Sequence, residues 1–143
     1  EATPTTAATV VPFDAVAVAV GLAVLVVAAV PHLGLRTVLD AGGVDGRARA
    51  LAFGVIGSDL TNNLPTVLAG VGAVRDRGQV WPLLVGTNLG PVLAVTGSLS
   101  GLLWQQTAAR LDVVVPSRRY SAVGVRVGLP ALAAAAMWAV FIG

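Results

Sequence analysis

The chain has 143 residues, of which 56% are hydrophobic and 11% charged, and its mean hydropathy is +0.85. A soluble domain carries about 25% charged residues, so the composition is that of a membrane protein and excludes an ordinary water-soluble globule. Cysteine is absent, which leaves no disulfide framework and no thiolate metal site, and the net charge of +2 comes from Arg scattered over polar segments, giving no ground for a nucleic-acid partner.

The chain starts at Glu1 rather than Met, which reads as a processed chain or a piece of a longer one. Residues 1–12 are polar and rich in Thr, Ala and Pro, as in a linker, and lack the basic start of a secretory signal. Residues 13–30 are apolar up to Pro31 and form the first expected spanning helix, since about 20 such residues cross a bilayer. Residues 31–47, with Arg36, Asp40, Asp45 and the Gly42-Gly43 pair, are expected as an amphipathic connector at the membrane surface. His32, the one His, lies there beside Pro31 and reads as a surface residue.

Residues 48–74 hold the stretch around which the chain is organised: Ser58-Asp59-Leu60-Thr61-Asn62-Asn63-Leu64-Pro65, a polar cluster between two apolar arms. As one helix the segment would extend about 40 Å at 1.5 Å per residue, too long for a core of about 30 Å. Broken at the cluster, each arm is about 15 Å, half the membrane. The expectation is a helix interrupted at midplane or a re-entrant hairpin with its tip there. Irregular backbone at that depth survives only inside protein or beside a watery cavity.

Residues 81–105 repeat the pattern, with Gly86-Thr87-Asn88-Leu89-Gly90-Pro91 and Thr96-Gly97-Ser98-Leu99-Ser100 between apolar arms. Glycine lets bare backbone approach a ligand, and Pro91 cannot continue a helix. This is a second broken helix. Gly86/Gly90, Gly97/Gly101 and Gly124/Gly128 have the spacing that allows close helix packing. After a polar loop, residues 120–142 form a last spanning helix with Tyr120 and Trp138 as anchors near its ends and Arg126 able to snorkel. If every segment crosses, Arg36, Arg47, Arg49, Arg110, Arg118 and Arg119 face Arg75 and Arg77 across the membrane. A hairpin at 48–74 removes most of that asymmetry.

Paired broken helices suit secondary transport: half-helix N-termini face anions, and unwound carbonyls face cations. Asn62 and Asn63 precede Pro65, which fits a first helical turn, so they can cap the next half-helix or bind solute. Ser58 and Thr61 offer hydroxyl oxygens to sodium or an uncharged hydroxylated solute. Asp59 is a costly residue at midplane, about 2.5–3.5 kcal/mol on insertion scales, and is the candidate for proton coupling. Asn88, Thr87, Thr96, Ser98 and Ser100 form the second constellation. The plainer alternative is that these groups only cap buried helix ends. No catalytic triad, zinc spacing or phosphate loop occurs, so no enzyme activity, cofactor or resident metal is expected.

The three blocks Ser58–Pro65, Gly86–Pro91 and Thr96–Trp104 resemble the C-terminal part of the arsenite/antimonite efflux permeases, the arsenical pump membrane proteins of the ion transporter superfamily. The family pattern reads Ser-Asn-x-x-Asn-Asn-Leu-Pro, then Gly-x-Asn-Leu-Gly-Pro, then Gly-Ser-Leu-Ala-x-Leu-Leu-Trp. The resemblance covers residues 13 to the end. It implies the second of two inverted repeats in an all-α integral membrane fold, with a re-entrant hairpin at 48–74 and a broken transmembrane helix at 81–105. Asn62, Asn63, Asn88, Thr96 and Ser98 would then carry the substrate and ion contacts.

Two departures stand out: Asp59 replaces a family Asn, and the first repeat is absent. The implied function is half of an arsenite/antimonite efflux carrier in the bacterial inner membrane, multi-pass, working by alternating access. Its implied partners are the bilayer, the transported ion, and a first repeat or partner chain; a homodimer is admitted as well. Within the superfamily the alternative is a sodium/proton antiporter or a sodium-coupled anion transporter. Outside it stands an accessory subunit with no transport of its own.

Overall fold

The computed structural model describes residues 13–142, the side chains of Asp14, Ala15 and Ile142 excepted. The segment 1–12, expected as a linker, lies outside the described residues. Within them every regular element is helical and no strand occurs, so the expected all-α class holds. The α-helices are α1 (Phe13–Ala29), α2 (Leu35–Leu39), α3 (Gly43–Thr61), α4 (Asn63–Ala73), α5 (Val80–Leu89), α6 (Leu99–Arg110) and α7 (Ser117–Met137). Tight turns of 3-10 type lie at Val30–His32, Arg77–Gln79, Gly90–Val92 and Val95–Gly97, and a π turn at Trp138–Ile142 prolongs α7.

Two prolines explain the main interruptions. A helix running through residue 65 would drive the Pro65 ring into the Thr61 carbonyl and leave that carbonyl without a donor. α3 accordingly ends at Thr61, and Pro65 falls in the first turn of α4, where its missing N–H costs nothing. Pro91 has the same effect on the Thr87 carbonyl: α5 stops at Leu89, and helix resumes only at Leu99 after two tight turns.

α3 opens at Gly43 rather than Ala48, which shortens the expected connector; α2 occupies part of the remainder. Its first turns carry the i,i+4 ion pair of Asp45 with Arg49 at 2.8 Å. With 19 residues α3 is about 28 Å long, while α4 with 11 is about 16 Å. The charged turns account for the difference, because the apolar arm begins only near Ala50.

Close glycine approaches set the helix directions. A Cβ on Gly57 would stand 2.6 Å from the Thr66 methyl, and one on Gly70 would meet the Phe53 ring at 3.2 Å, so α3 and α4 are antiparallel. A Cβ on Gly54 would meet the Leu83 carbonyl at 2.6 Å, and one on Gly90 would meet Ser58 Oγ and Val55 Cα at 2.8 Å. Residue numbers thus climb together along α3 and α5, which run parallel.

Both ends of the α3–α4 hairpin meet at one end of the molecule. The link is Gln79, only 1% exposed. Its Nε2 lies 2.7 Å from the Leu39 carbonyl, 3.1 Å from that of Ala41 and 3.2 Å from that of Gly46, and its Oε1 accepts the Asp76 N–H at 3.4 Å. Arg75 pairs with Asp40 at 3.6 Å. Arg75 and the start of α3 therefore lie at the same end of the α3–α4 hairpin.

α7 runs along the rest of the molecule. Near its start, Gln105 Nε2 donates to the Val115 carbonyl at 3.1 Å and the Trp104 and Tyr120 rings lie 5.9 Å apart. In its middle Gly124 and Gly128 press on Val92, Gly124 directly against the Val92 carbonyl. At its far end Arg47 Nη1 donates to the Val140 carbonyl at 3.3 Å. The segment Ser117–Phe141 is, among the described residues, the one helix long and apolar enough to cross a membrane, with Val16–His32 a shorter apolar helix. The interior holds Ser58, Thr66, Gln79 and Thr87, while Val18, Leu25, Leu60, Val127 and Phe141 are all exposed by 65% or more.

Candidate solute-binding site

Asn62 is the hinge of the hairpin. Its φ of 91° and ψ of 153° lie in a region that non-glycine residues almost never occupy, at a cost of about 1–3 kcal/mol. The surrounding bonds hold it there. Its N–H closes α3 onto the Ser58 carbonyl at 2.9 Å, and its carbonyl accepts the Thr66 N–H at 3.3 Å and the Thr66 hydroxyl at 2.8 Å. With the backbone so fastened, the side-chain amides of Asn62 and Asn63 take no hydrogen bond among the described residues and line a cleft. No side chain caps the N-terminus of α4 either, so its first N–H groups stay available to a ligand.

The cleft has a volume of about 320 Å³ and brings Asn62 and Asn63 together with Thr87 and Asn88 of α5. A second cleft, about 350 Å³, shares Asn62 and adds Thr61, Thr96 and Gln106. α1 closes one side of each through Ala19, and Leu99 borders both. Among the described residues no charged side chain lines either one. The combined surface sets a few amides and hydroxyls on mainly apolar walls.

The residues expected at the site divide into two groups. Thr61, Asn62, Asn63, Asn88 and Thr96 line these clefts. Ser58, Asp59 and Ser98 do not. Ser58 is fully buried, donates to the Val55 carbonyl at 2.9 Å and packs on Gly90. Ser98 caps α6, accepting the Gly101 N–H at 3.1 Å. Thr61, donating to the Gly57 carbonyl at 3.0 Å, and Asn88, whose Nδ2 donates to the Leu84 carbonyl at 2.7 Å, bond their own helices as well.

Asp59 points toward the second interruption. A Cβ on Gly97 would stand 2.6 Å from Asp59 Oδ1, which is buried and has no hydrogen-bond partner. No Arg pairs with it among the described residues. It sits where α3 meets the Val95–Gly97 turn, beside the clefts and not in them.

Three polar residues with clear places escaped the sequence reading. Gln106 lines the second cleft, and its signal was helical spacing: Leu99, Leu102, Leu103 and Gln106 share one face of α6. Thr66, next to the conspicuous Pro65, bonds the hinge carbonyl. Gln79, in a charged turn, gave no signal that it would be buried.

Fold and site together define an all-helical chain with many exposed apolar side chains, in which a helical hairpin and a second interruption meet at clefts lined by amides, hydroxyls and apolar groups. The chain is similar to the arsenical pump membrane proteins of Escherichia coli strain K12 and of Shigella flexneri, each 30% identical over 83 residues. That of Yersinia enterocolitica is 29% identical over 83 residues. Each match covers 52% of this chain and 19% of the relative, so the chain matches about a fifth of the length of these curated proteins. No family model and no solved structure matches.

Proposed function

We propose that the chain forms one half of the solute site of a multi-pass secondary transporter in the bacterial inner membrane, exporting arsenite or antimonite by alternating access. The observation that carries this reading is the meeting of Asn62–Asn63 and Thr87–Asn88 on one cleft with no charged side chain among the described residues, in a chain similar to arsenical pump membrane proteins. Trivalent arsenic in neutral water is an uncharged trihydroxide, which amides and hydroxyls can hold without a counter-charge.

The exterior supports a lipid setting, since large apolar side chains on α1 and α7 stand exposed. The gathering of both hairpin ends around Gln79 supports a re-entrant hairpin: α3 and α4 enter and leave from one rim, and the Asn62 tip reaches partway across. The remaining half of the site falls to a first repeat or a partner chain. Asp59, with its unpartnered oxygen beside the second interruption, is the proton-coupling residue.

The test is arsenite efflux from cells or everted vesicles expressing the complete protein. Wild type extrudes arsenite. Asn62→Ala and Asn88→Ala reduce efflux at unchanged protein level, and Asp59→Asn removes its dependence on the proton gradient. Efflux driven by sodium would favour the antiporter relatives, and no efflux with intact insertion would favour an accessory subunit.

A further inference from the structure

A groove between α6 and α7 takes no part in the solute clefts. It has a volume of about 420 Å³ and runs along α7 from Arg119 and Tyr120 past Gly124 to Val127, with Trp104 on its opposite wall and Val92 at its floor. The stretch from Tyr120 to Val127 is about 10 Å long, and apart from the Arg119 head its walls are hydrocarbon and aromatic ring. The Trp104 and Tyr120 rings, 5.9 Å apart, both line it, and such aromatic side chains favour the polar boundary of a bilayer.

Charge identifies the occupant. Arg119 is exposed and makes no ion pair among the described residues. Arg110 and Arg118 lie in the same stretch of sequence, where Asp112 is the one acidic residue between positions 110 and 119. A neutral lipid or an apolar helix would fill the groove and leave that guanidinium without a counter-charge. Arg binds phosphate oxygens in a fork, and basic pockets between membrane helices bind anionic headgroups.

We propose that this groove is a binding site for an anionic phospholipid, with one acyl chain along Tyr120–Val127 and the headgroup phosphate on Arg119. The site rests on the membrane reading above and is separate from the transported solute.

The test is native mass spectrometry of the chain released from phosphatidylcholine nanodiscs doped with phosphatidylglycerol or cardiolipin. Wild type is expected to retain the anionic lipid in preference to phosphatidylcholine. Arg119→Gln weakens retention roughly fivefold, the effect of one basic residue near an anionic surface, and Arg119→Lys keeps most of it. Val123→Trp fills the groove while leaving every Arg in place, and is expected to lose the lipid as well. Equal retention of both lipids, indifference to Arg119→Gln and Val123→Trp, or displacement of the lipid by inorganic phosphate would overturn the site. So would a two-copy species abolished by Val123→Trp, which would make the groove a contact between chains. A chain that fails to enter phosphatidylcholine nanodiscs at all would overturn the membrane reading first and this site with it.

Discussion

Across the turn of the α3–α4 hairpin, the hydroxyl oxygens of Thr61 and Thr66 lie 3.0 Å apart, and each also reaches a carbonyl, Gly57 at 3.0 Å and Asn62 at 2.8 Å respectively. Two hydroxyl protons cannot serve three contacts, so the pair is always one bond short. Thr66→Val is expected to destabilise the protein by about 1–2 kcal/mol, because it strips the hinge carbonyl of a buried donor. Thr61→Val costs less, since the Gly57 carbonyl belongs to the ladder of α3. Thermal unfolding in detergent reads both, and the double variant should cost less than the sum of the singles.

The hinge conformation makes a second prediction. Asn62→Gly removes the backbone strain and is expected to melt above Asn62→Ala, by an amount corresponding to about 1 kcal/mol or more. Both variants lack the amide on the clefts, so both lose solute binding equally. Stability and binding separate at this one position, and a single pair of variants measures the two.

Glycines on the α3–α5 seam are expected to resist substitution where those on open helix faces do not. A Cβ on Gly54 would meet the Leu83 carbonyl at 2.6 Å, whereas nothing lies within 4 Å of one on Gly21 or Gly72. Gly54→Ala forces two backbones apart and costs about 1–3 kcal/mol. Gly21→Ala and Gly72→Ala are neutral or stabilise by about 0.5–1 kcal/mol, the helix advantage of alanine. Melting temperatures of the three single variants decide it.

The hairpin base depends on Gln79. Gln79→Leu leaves the Leu39, Ala41 and Gly46 carbonyls without their shared donor and is expected to cost on the order of 2–3 kcal/mol. Gln79→Glu is worse, because it turns an acceptor toward those carbonyls. Limited proteolysis near Gly42 should rise in step with the loss of stability.

The helix ends were legible because proline acts locally: Pro65 and Pro91 each forbid a particular carbonyl its donor, and the breaks stand within a few residues of them. The all-helical class was legible from the length of the apolar runs. The start of α3 was not, because Asp45 and Arg49 read as surface charge until their spacing is taken as an ion pair on one helix face. At the site, Asn62, Asn63 and Asn88 could be named from sequence, since an amide in an apolar run demands an explanation. Whether a given hydroxyl faces the cleft or its own helix depends on rotation about α3 and on the cap of α6. Ser58 and Ser98 turned out to face the fold, which nothing in their neighbours' identity announces.

The bond from Arg47 to the Val140 carbonyl joins positions 93 apart in the chain. Protein synthesis is vectorial, so the base of the hairpin leaves the ribosome well before the residue that completes it. Until Val140 is made this tie is unformed, and a truncation placed before that residue would leave Asn62, Asn63 and Asn88 present while loosening the frame that holds them.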